Sequence, residues 1–413
     1  MKLASVMSAG VAALAVAAGL SFHGVSAEQA KPAPAAKGAV KSAVKSDVPQ
    51  FKYDKTFPKP LPNVMKVGQV VGIVVDSRNH VWIVQRPKSL KGSETEAADG
   101  RYGGFTSSIA GCCRPALPVL EFDQAGNMVQ TWGGPQDLAK GFDWPTPGPK
   151  SPDSFYGSLP FGERGIFVDH NDNVWLGADG PGDGFILKVS RFGRPLLQVG
   201  KKGQSKGSHD TANLNGASGI VVDAQSNEVF VADGLRNRRV IVFDGLTGTY
   251  LRHWGAYGKP PDDSVQMKPD SPDVNSSQFG DVHCIAMSRD KLIYVCDRVN
   301  NRIQVFRQNG TFVKQGVVAP ATPGGTTYGI AFSPDPEQRF AYVADGTNEK
   351  VWILDRASLE TVGSFGSGGH FGGQFTTAHS IATDQQGNIY VGETWEGKRV
   401  QRFRYLGQGP AAR

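Results

Sequence analysis

The sequence predicts an all-β protein, a six-bladed β-propeller closed by an N-terminal strand. The first observation is a unit of four short apolar strands within Phe279–Gln315, separated by turns rich in Asn, Asp and Gly. Four strands in about 40 residues are the pattern of one propeller blade. The second observation is that this unit recurs along the chain, and the third is that its last copy lacks one strand. Together these features predict a closed ring of blades.

Each repeat opens with a similar strand, followed by a polar turn and a second strand. The six openings are Val71–Asp76, Arg164–Asp169, Ser218–Asp223, His283–Ser288, Tyr328–Ser333 and His379–Asp384. Five of the six second strands run into an acidic turn, at Asp179, Asp233, Asp297, Asp345 and Glu393. The basic period is about 45 residues, lengthened by insertions. We therefore expect six blades in chain order.

The sixth blade shows only three strands, the third at Val400–Arg404. Phe51–Phe57 lies just ahead of the first blade and is the predicted donor of the missing outer strand. Pairing these segments closes the ring and removes two open sheet edges. The propeller is thus predicted to cover residues 51–406, with a tail at residues 407–413.

The N-terminus has the pattern of a signal peptide over residues 1–27. Lys2 precedes an apolar run at Val11–Leu20, and Val25–Ala27 is a small-residue cleavage site. The run is short and weakly hydrophobic, so we expect no stable membrane span. Residues 28–50, rich in Ala, Lys and Pro, are predicted to be a disordered linker. The protein is therefore expected to be exported, either to the periplasm or into the medium.

The charge pattern does not favour nucleic-acid binding. The formal net charge is +6, and the excess of lysine in the first 50 residues supplies half of it. The remaining chain has a mixed surface with only a small positive balance. We therefore expect no nucleic-acid partner.

The four cysteines are Cys112, Cys113, Cys284 and Cys296. In an exported protein they can form disulfides, and four cysteines allow three pairings. Cys284 and Cys296 lie on neighbouring strands of one hairpin, so a bridge there is feasible, whereas Cys112 and Cys113 would need a vicinal bridge. A thiolate metal site is the alternative, although the spacing is not that of a zinc ribbon.

Propeller geometry predicts that several candidate site residues lie at one mouth of the central channel. The first strand of each blade lines the channel, so the start of strand one and the end of strand two lie on the same face. The lead residues that should ring this mouth are Val71, Arg164, Ser218, His283, Tyr328 and His379. Arg86 and Arg298, at the ends of second strands, point to the same mouth.

His283 and His379 occupy equivalent positions and face one axis, which predicts a divalent metal, zinc before others. The alternative is that each histidine is a hydrogen-bonded polar residue at a wet channel mouth. A neighbouring guanidinium would repel a metal unless a bound anion lay between them. The metal prediction therefore depends on whether an anion also binds at the mouth.

Three arginines, Arg86, Arg164 and Arg298, make a cationic mouth suited to a carboxylate or another oxyanion, because guanidinium forks bind such groups bidentately. Arg86 and Arg164 are the candidate substrate-binding residues. Arg86, Arg298 and Tyr328 are the candidate catalytic residues. Tyr328 could carry a proton, or it could simply pack as an aromatic ring. A small-molecule or peptide carboxylate is the expected ligand.

The blades resemble NHL repeats, and the chain resembles the peptidyl-α-hydroxyglycine α-amidating lyase (peptidylamidoglycolate lyase) type of six-bladed propeller over roughly residues 51–406. The segments that carry the resemblance are Val81–Arg86, Val229–Gly234, Val282–His283, Cys296–Arg298, Asn301–Phe306, Ala378–His379 and Ile389–Gly392. The resemblance implies an NHL-type propeller and a lyase activity.

In that family three histidines hold a zinc ion, two arginines and a tyrosine serve the chemistry, and a structural calcium lies nearby. The resemblance implies that His283 and His379 match two zinc ligands, and that Arg86 and Arg298 match the two arginines. The departures are Arg164 at the third histidine position, Leu235 at the tyrosine position and Ser380 in place of an aspartate. The last departure puts the calcium site in doubt.

Two function classes remain open. The first is a metal-assisted lyase that cleaves a C–N bond, or a hydrolytic variant, in which the metal polarises a hydroxyl or carbonyl and the arginines hold a carboxylate. The second is a non-catalytic propeller that binds a ligand or a protein partner on its looped face. A gluconolactonase-like enzyme is less favoured, because that type needs acidic metal ligands at the channel. Insertions at residues 87–115, 134–163 and 257–280 are predicted to crowd the mouth.

Overall fold

The structure is a computed structural model that describes residues 47–91, 94, 111–134, 142–144, 162–180, 182–265, 268 and 270–410. The predicted signal peptide, most of the predicted linker and parts of the predicted insertions lie outside these ranges. So do residues 411–413 of the predicted tail.

The described chain is built almost entirely of β-strands. In chain order they are β1 (Val48–Asp54), β2 (Met65–Lys66), β3 (Gln69–Val75), β4 (Val81–Arg86), β5 (Arg114–Pro115), β6 (Val119–Phe122), β7 (Met128–Trp132), β8 (Glu163–Val168), β9 (Val174–Ala178), β10 (Phe185–Val189), β11 (Pro195–Gly200), β12 (Ala217–Val222), β13 (Glu228–Asp233), β14 (Arg239–Asp244), β15 (Tyr250–Trp254), β16 (Val282–Met287), β17 (Ile293–Asp297), β18 (Arg302–Phe306), β19 (Phe312–Val317), β20 (Gly329–Phe332), β21 (Phe340–Asp345), β22 (Lys350–Asp355), β23 (Thr361–Phe365), β24 (Ala378–Thr383), β25 (Ile389–Glu393) and β26 (Val400–Gly409). Short 3-10 helices lie at Pro62–Val64, Pro87–Ser89 and Ala256–Gly258.

Six four-stranded antiparallel sheets form the blades. Their strand orders are β3-β4-β6-β7, β8-β9-β10-β11, β12-β13-β14-β15, β16-β17-β18-β19, β20-β21-β22-β23 and β24-β25-β26-β1. The inner strands contact one another in sequence around the channel, and β24 returns to β3. A parallel pair, β2 and β5, joins the segment that precedes blade one to the end of the insertion in that blade. The predicted six-bladed propeller is confirmed.

The closing strand pairs as the sequence predicted. β1 runs antiparallel to β26, with Val48 opposite Gly409 and Lys52 opposite Arg404. The strand begins at Val48 rather than at Phe51, so it includes the last residues of the predicted linker. The N-terminal segment therefore completes the blade that the C-terminal segment leaves open.

The middle strands are buried on both faces because neighbouring blades pack against each other. Every residue of β4 and of β9 is buried. Trp82 and Trp175, on these two strands, are fully buried. Burying a large apolar side chain contributes about 1.5–3 kcal/mol each. This explains why the second strands are continuous apolar runs and do not alternate with polar residues.

Acidic turns anchor the third strands within their own blades. Arg239 Nε donates to Asp233 Oδ2 at 2.9 Å, and Arg302 Nε donates to Asp297 Oδ2 at 2.8 Å, with all four side chains fully buried. Arg239 and Arg302 begin the third strands of blades three and four, whereas the third strand of blade two begins at Phe185 and is preceded by Gly184. Because glycine offers no side chain, the acid of blade two is available to the channel.

Asp54 ties the closing strand to β26. Its carboxylate accepts hydrogen bonds from the Thr56 amide at 2.9 Å and from Arg402 Nε at 2.9 Å. Burial alone would raise the pKa of Asp54, but these hydrogen bonds lower it to about 2. A carboxyl whose folded-state pKa is depressed stabilises the protein above its unfolded-state pKa, and this stability is lost as the pH falls.

Asp54→Asn is therefore expected to remove the part of the free energy of unfolding that the parent loses between about pH 4 and about pH 2. Urea unfolding at a series of pH values measures this directly. Glu396→Gln, which changes an exposed acid, is the control and should follow the parent. Equal acid losses in the parent and in Asp54→Asn would show that the closing strand does not depend on this carboxylate.

Candidate functional site at the channel mouth

Five of the six lead residues lie at β-bulges, the exception being Tyr328 of blade five. The strand registers shift between Val70 and Gly72, Glu163 and Ile166, Ala217 and Gly219, Val282 and Cys284, and Ala378 and Ser380. The residues skipped by these shifts include Val71, Arg164, Ser218, His283 and His379. A bulged residue leaves the ladder, and its side chain is re-aimed. The bulges thus explain how Arg164, His283 and His379 turn toward the mouth. Val71 and Ser218, which were also expected at the mouth, line the channel below it.

One pocket at this mouth contains all six predicted site residues. Its lining is Gln69, Arg86, Arg164, Leu235, His283, Arg298, Tyr328, His379, Thr394 and Trp395. Its cavity volume is about 50 Å³, which is room for a carboxylate group and a few waters. The structure therefore brings the predicted residues together, while their chemical roles remain predictions.

Below the mouth each blade contributes one isoleucine to the channel wall, and these are Ile73, Ile166, Ile220, Ile285, Ile330 and Ile381. All six are buried. Ser218, Ser380 and several glycines line the same part of the channel, so its wall is mixed in character. The charged groups at the mouth are themselves buried, so they interact more strongly than they would in water.

Two buried carboxylates hold the three arginines in place. Asp179 accepts from Arg86 Nη2 at 2.9 and 3.1 Å and from Arg164 Nη1 at 2.8 Å. Asp281 Oδ2 accepts from Arg298 Nε at 2.7 Å. Neither carboxylate is among the residues that line the pocket. The arginines that line the pocket consequently have their balancing carboxylates behind them, outside its lining.

A third acid, Glu163, lies behind Arg86. Its backbone carbonyl accepts a hydrogen bond from Arg86 Nε at 3.1 Å, and its carboxylate accepts one from Trp144 Nε1 at 2.9 Å. Burial raises the pKa of Glu163 to about 6. Trp144 belongs to the predicted insertion at residues 134–163, so the described part of this insertion contacts the mouth.

The described parts of the other two insertions also lie at this face. In the first, the Ser89 hydroxyl accepts a hydrogen bond from the Gln69 amide at 2.8 Å, and Gln69 lines the pocket. In the third, the Gln278 carbonyl accepts from Arg302 Nη2 at 2.9 Å. These contacts agree with the expected position of the insertions.

His283 has a defined tautomer. Its Nδ1 lies 2.6 Å from the carbonyl oxygen of Tyr328. Because a carbonyl only accepts, Nδ1 carries the proton and Nε2 carries the lone pair. Arg164 Nη2 donates a hydrogen bond to that Nε2. Burial, together with the neighbouring Arg164 charge, holds the pKa of His283 well below its ordinary value, so the ring is neutral at neutral pH.

His379 lies beside His283, with ring centroids 5.0 Å apart. Burial and the charge of Arg164 hold the pKa of His379 well below its ordinary value as well. Its buried Nδ1 has no hydrogen-bond partner in the described part of the chain. A buried polar nitrogen without a hydrogen bond costs free energy, which a bound ligand could recover. His379 is therefore the ring in the pocket with a nitrogen to offer a ligand.

Tyr328 packs and bonds at the same time. Its ring lies 5.1 Å below the guanidinium of Arg298, a cation–π contact. Its hydroxyl lies 3.3 Å from Arg298 Nη1 and 3.1 Å from the Thr347 hydroxyl. Both sequence-based interpretations, the packing aromatic and the proton carrier, are compatible with these contacts.

A divalent metal does not fit this conformation of the pocket. The two neutral imidazoles are suitable ligands, but Arg164 Nη2 already occupies the lone pair of His283 Nε2. A divalent ion 4 Å from that guanidinium would be repelled by about 8 kcal/mol at an effective dielectric constant of about 20. The zinc prediction for His283 and His379 stays a prediction that requires Arg164 to move.

A possible metal-ligand triad, Asp76, His80 and Glu121, is present elsewhere among the described residues. It lies at the opposite end of the first strand of blade one, away from the mouth. Arg191 Nη1 donates to Asp76 Oδ2 at 3.0 Å, and Arg191 Nη2 also pairs with Glu121. A guanidinium thus already neutralises the cluster in the place where a cation would sit.

Both cysteine pairs form disulfides, Cys112–Cys113 and Cys284–Cys296. The second joins β16, which carries His283, to β17, whose end precedes Arg298. Two disulfides are typical of proteins from oxidising compartments. No helix within the described residues has the length and apolar character needed to cross a membrane.

Sequence reasoning missed several residues of the site. It identified Asp179 only as one of five acidic turns, and it did not single out Asp281, Thr394 or Trp395. A usable signal existed for Trp395, because it follows Glu393 at the same distance at which Leu235 follows its own acidic residue. Equivalence between blades would therefore have found it.

The fold and the site together define a six-bladed propeller of the NHL type with a cationic, histidine-containing pocket at one mouth. The NHL repeat family matches residues 279–306. The chain is 28% identical over 344 residues to "Peptidyl-glycine alpha-amidating monooxygenase B" of Xenopus laevis, an alignment that covers 80% of this chain and 33% of the relative. It is 25% identical over 331 residues to "Peptidyl-glycine alpha-amidating monooxygenase" of Mus musculus, covering 79% and 29%.

These matches bear out the resemblance inferred from the sequence. The chain spans about a third of the length of the curated relatives it matches. A solved streptogramin B lyase structure covers 86% of this chain and 98% of its own, with a TM-score of 0.46 and 13% identity. A match of that kind carries no information about function.

Proposed function

We propose that the channel mouth binds a small molecule or peptide end that carries a carboxylate. The observation that supports this most is that the three guanidinium groups line the pocket while their carboxylate partners do not. Arg86 and Arg164 share one carboxylate, Asp179, so their side chains are held side by side. Preorganised guanidinium groups bind a carboxylate without further ordering.

Orphaned polar atoms in the same pocket support the proposal. Arg164 Nε and the Thr394 hydroxyl are buried and have no hydrogen-bond partner in the described part of the chain. A buried donor without an acceptor costs about 1–3 kcal/mol. A bound oxyanion would supply acceptors to these groups. Both residues line the pocket.

Calorimetric titration with propionate tests the proposal, with propionamide as the neutral isostere. The parent is expected to bind the acid and not the amide. Arg86→Gln and Arg298→Gln should each weaken binding about ten-fold or more, since a hydrogen bond to a charged group contributes about 1.5–3 kcal/mol. Arg339→Gln removes an exposed charge in the turn between β20 and β21, at the far end of these strands from the mouth, and should bind like the parent. Equal heats for the acid and the amide would contradict the proposal.

A second candidate is a lyase that cleaves the C–N bond of an N-acyl-α-hydroxyglycine to give an amide and glyoxylate. The similarity to amidating monooxygenases over most of the chain favours it. In this candidate Arg86 and Arg164 hold the carboxylate. The hydroxyl proton leaves, the C–N bond breaks, and the amide nitrogen is protonated, with Tyr328 beside Arg298 as the proton carrier. His283 and His379 would hold a metal that polarises the hydroxyl or carbonyl only in a conformation in which Arg164 has moved away from His283.

Release of glyoxylate from N-benzoyl-α-hydroxyglycine, with and without zinc and with a chelator, tests the second candidate. An active lyase should lose its rate in Tyr328→Phe and keep carboxylate binding. Absence of turnover in all conditions, together with intact propionate binding, would favour the non-catalytic ligand-binding propeller. The disulfides and the predicted leader support export to the periplasm or the medium as part of the same proposal.

A further inference from the structure

Two apolar side chains flank the cationic pocket. Leu235 and Trp395 both line it, and 38% of the Trp395 surface is exposed. Each lies two residues beyond the acid that ends a second strand, Asp233 in blade three and Glu393 in blade six. Blades three and six are separated by two blades on either side of the ring. The two side chains therefore stand on opposite sides of the mouth.

Both residues have a left-handed backbone. The φ angle is 59° at Leu235 and 53° at Trp395. Such angles are unfavourable for bulky side chains, and turns that need them normally use Gly or Asn. Val299 and Thr347, at the same position in blades four and five, lie outside this region. Left-handed backbone at bulky residues is thus found on the two opposed blades that present apolar groups to the pocket.

Leu235 is also tied to the charged part of the site. Its amide donates to Asp281 Oδ1 at 3.2 Å, and Asp281 Oδ2 holds Arg298. The same carboxylate therefore fixes an apolar wall and a guanidinium relative to each other. A ligand that engages Arg298 would extend along Leu235. Strain that surrounding structure maintains is a feature of ligand sites.

We propose that Leu235 and Trp395 form an apolar clamp that selects a carboxylate bearing an apolar, aromatic-sized substituent. This inference rests on the proposed carboxylate site and names its ligand class. The guanidinium groups hold the charged end, and the clamp removes the apolar substituent from water. Ligand pockets commonly combine apolar and aromatic walls with a few placed polar groups. The ligand is either a small aryl or alkyl acid or a peptide with an apolar C-terminal residue.

The test compares 3-phenylpropionate with propionate by calorimetry. The parent is expected to bind the phenyl compound about ten-fold tighter, because burial of the ring adds apolar contact. Leu235→Asn and Trp395→Asn should each reduce this preference to near parity, mainly by weakening the binding of the phenyl compound. Asparagine tolerates the left-handed backbone, so the turn is kept and the side chain alone changes. Thermal melting confirms that the variants are folded.

Leu246→Asn is the matched control, because Leu246 is 76% exposed on an outer hairpin, and it should keep the ten-fold preference. A preference that survives in both clamp variants, or that is absent in the parent while propionate binds, overturns the clamp and leaves the carboxylate site standing. Failure of both acids to bind overturns the clamp and the proposed function together. Acetyl-Gly-Phe compared with acetyl-Gly-Gly distinguishes a peptide end from a small acid as the source of the ligand.

Discussion

Arg164→His is expected to raise the affinity of the protein for zinc by about a hundred-fold or more. The substitution removes the guanidinium that donates to His283 Nε2 and adds a third imidazole at an equivalent lead position. Both changes act in the same direction, because the lost repulsion alone is worth several kcal/mol at contact distance. Competition of zinc against a chromophoric chelator measures the affinity.

Arg164→Gln is the matched control, since it removes the charge without adding a ligand, and an intermediate affinity is expected. His379→Ala in the Arg164→His background should abolish the gain. If Arg164→His binds zinc no better than Arg164→Gln, the third imidazole does not reach the ion. If His283→Ala leaves the zinc affinity of the parent unchanged, these histidines are not ligands and the ligand-binding propeller replaces the metal-assisted lyase.

Asp179→Asn is expected to lower the free energy of unfolding by about 3–5 kcal/mol. Asp179 is fully buried and pairs with both Arg86 and Arg164. Removing its charge leaves two buried guanidinium groups without their shared partner. Urea unfolding measures the loss. Asp172→Asn, which changes a half-exposed ion pair, should cost less than about 1 kcal/mol.

A triple variant separates the loss of charge balance from a general packing defect. Asp179→Asn with Arg86→Met and Arg164→Met removes the unpaired charges and should recover most of the lost stability, because replacing a whole buried ion cluster is often neutral. If the triple variant is no more stable than Asp179→Asn, the carboxylate stabilises the fold through contacts other than its ion pairs.

The ring of blades was predictable because it depends on periodicity. Six similar openings and one missing strand specify the blade number and the closing partner, and β1 pairs with β26 as expected. Propeller geometry also predicted that six residues of three types, arginine, histidine and tyrosine, lie at one mouth. This prediction required only that first strands line the channel and that second strands end on the face where first strands begin.

Side-chain conformation was not predictable in the same way. The pattern places Arg164 and His283 at one mouth but does not indicate that one donates to the other. Asp179 and Asp233 follow the same motif, yet the first binds channel arginines and the second anchors its own blade. Asp233 is paired with Arg239 at the start of the next strand, whereas blade two has Gly184 just before its third strand and offers no such partner there. The role of each acidic residue depends on which residue faces it in the fold. A repeat pattern gives the position of each residue but not its partner.

The pairing of β1 with β26 also has a mechanical consequence. Val48 and Gly409 are partners at one end of an antiparallel pair, so the two chain ends leave the ring at the same point. A force that pulls these ends apart acts perpendicular to the two strands, so it breaks the hydrogen bonds between them one pair at a time. β1 would therefore separate from β26 before any other part of the ring carries load, and the propeller would open at its sixth blade.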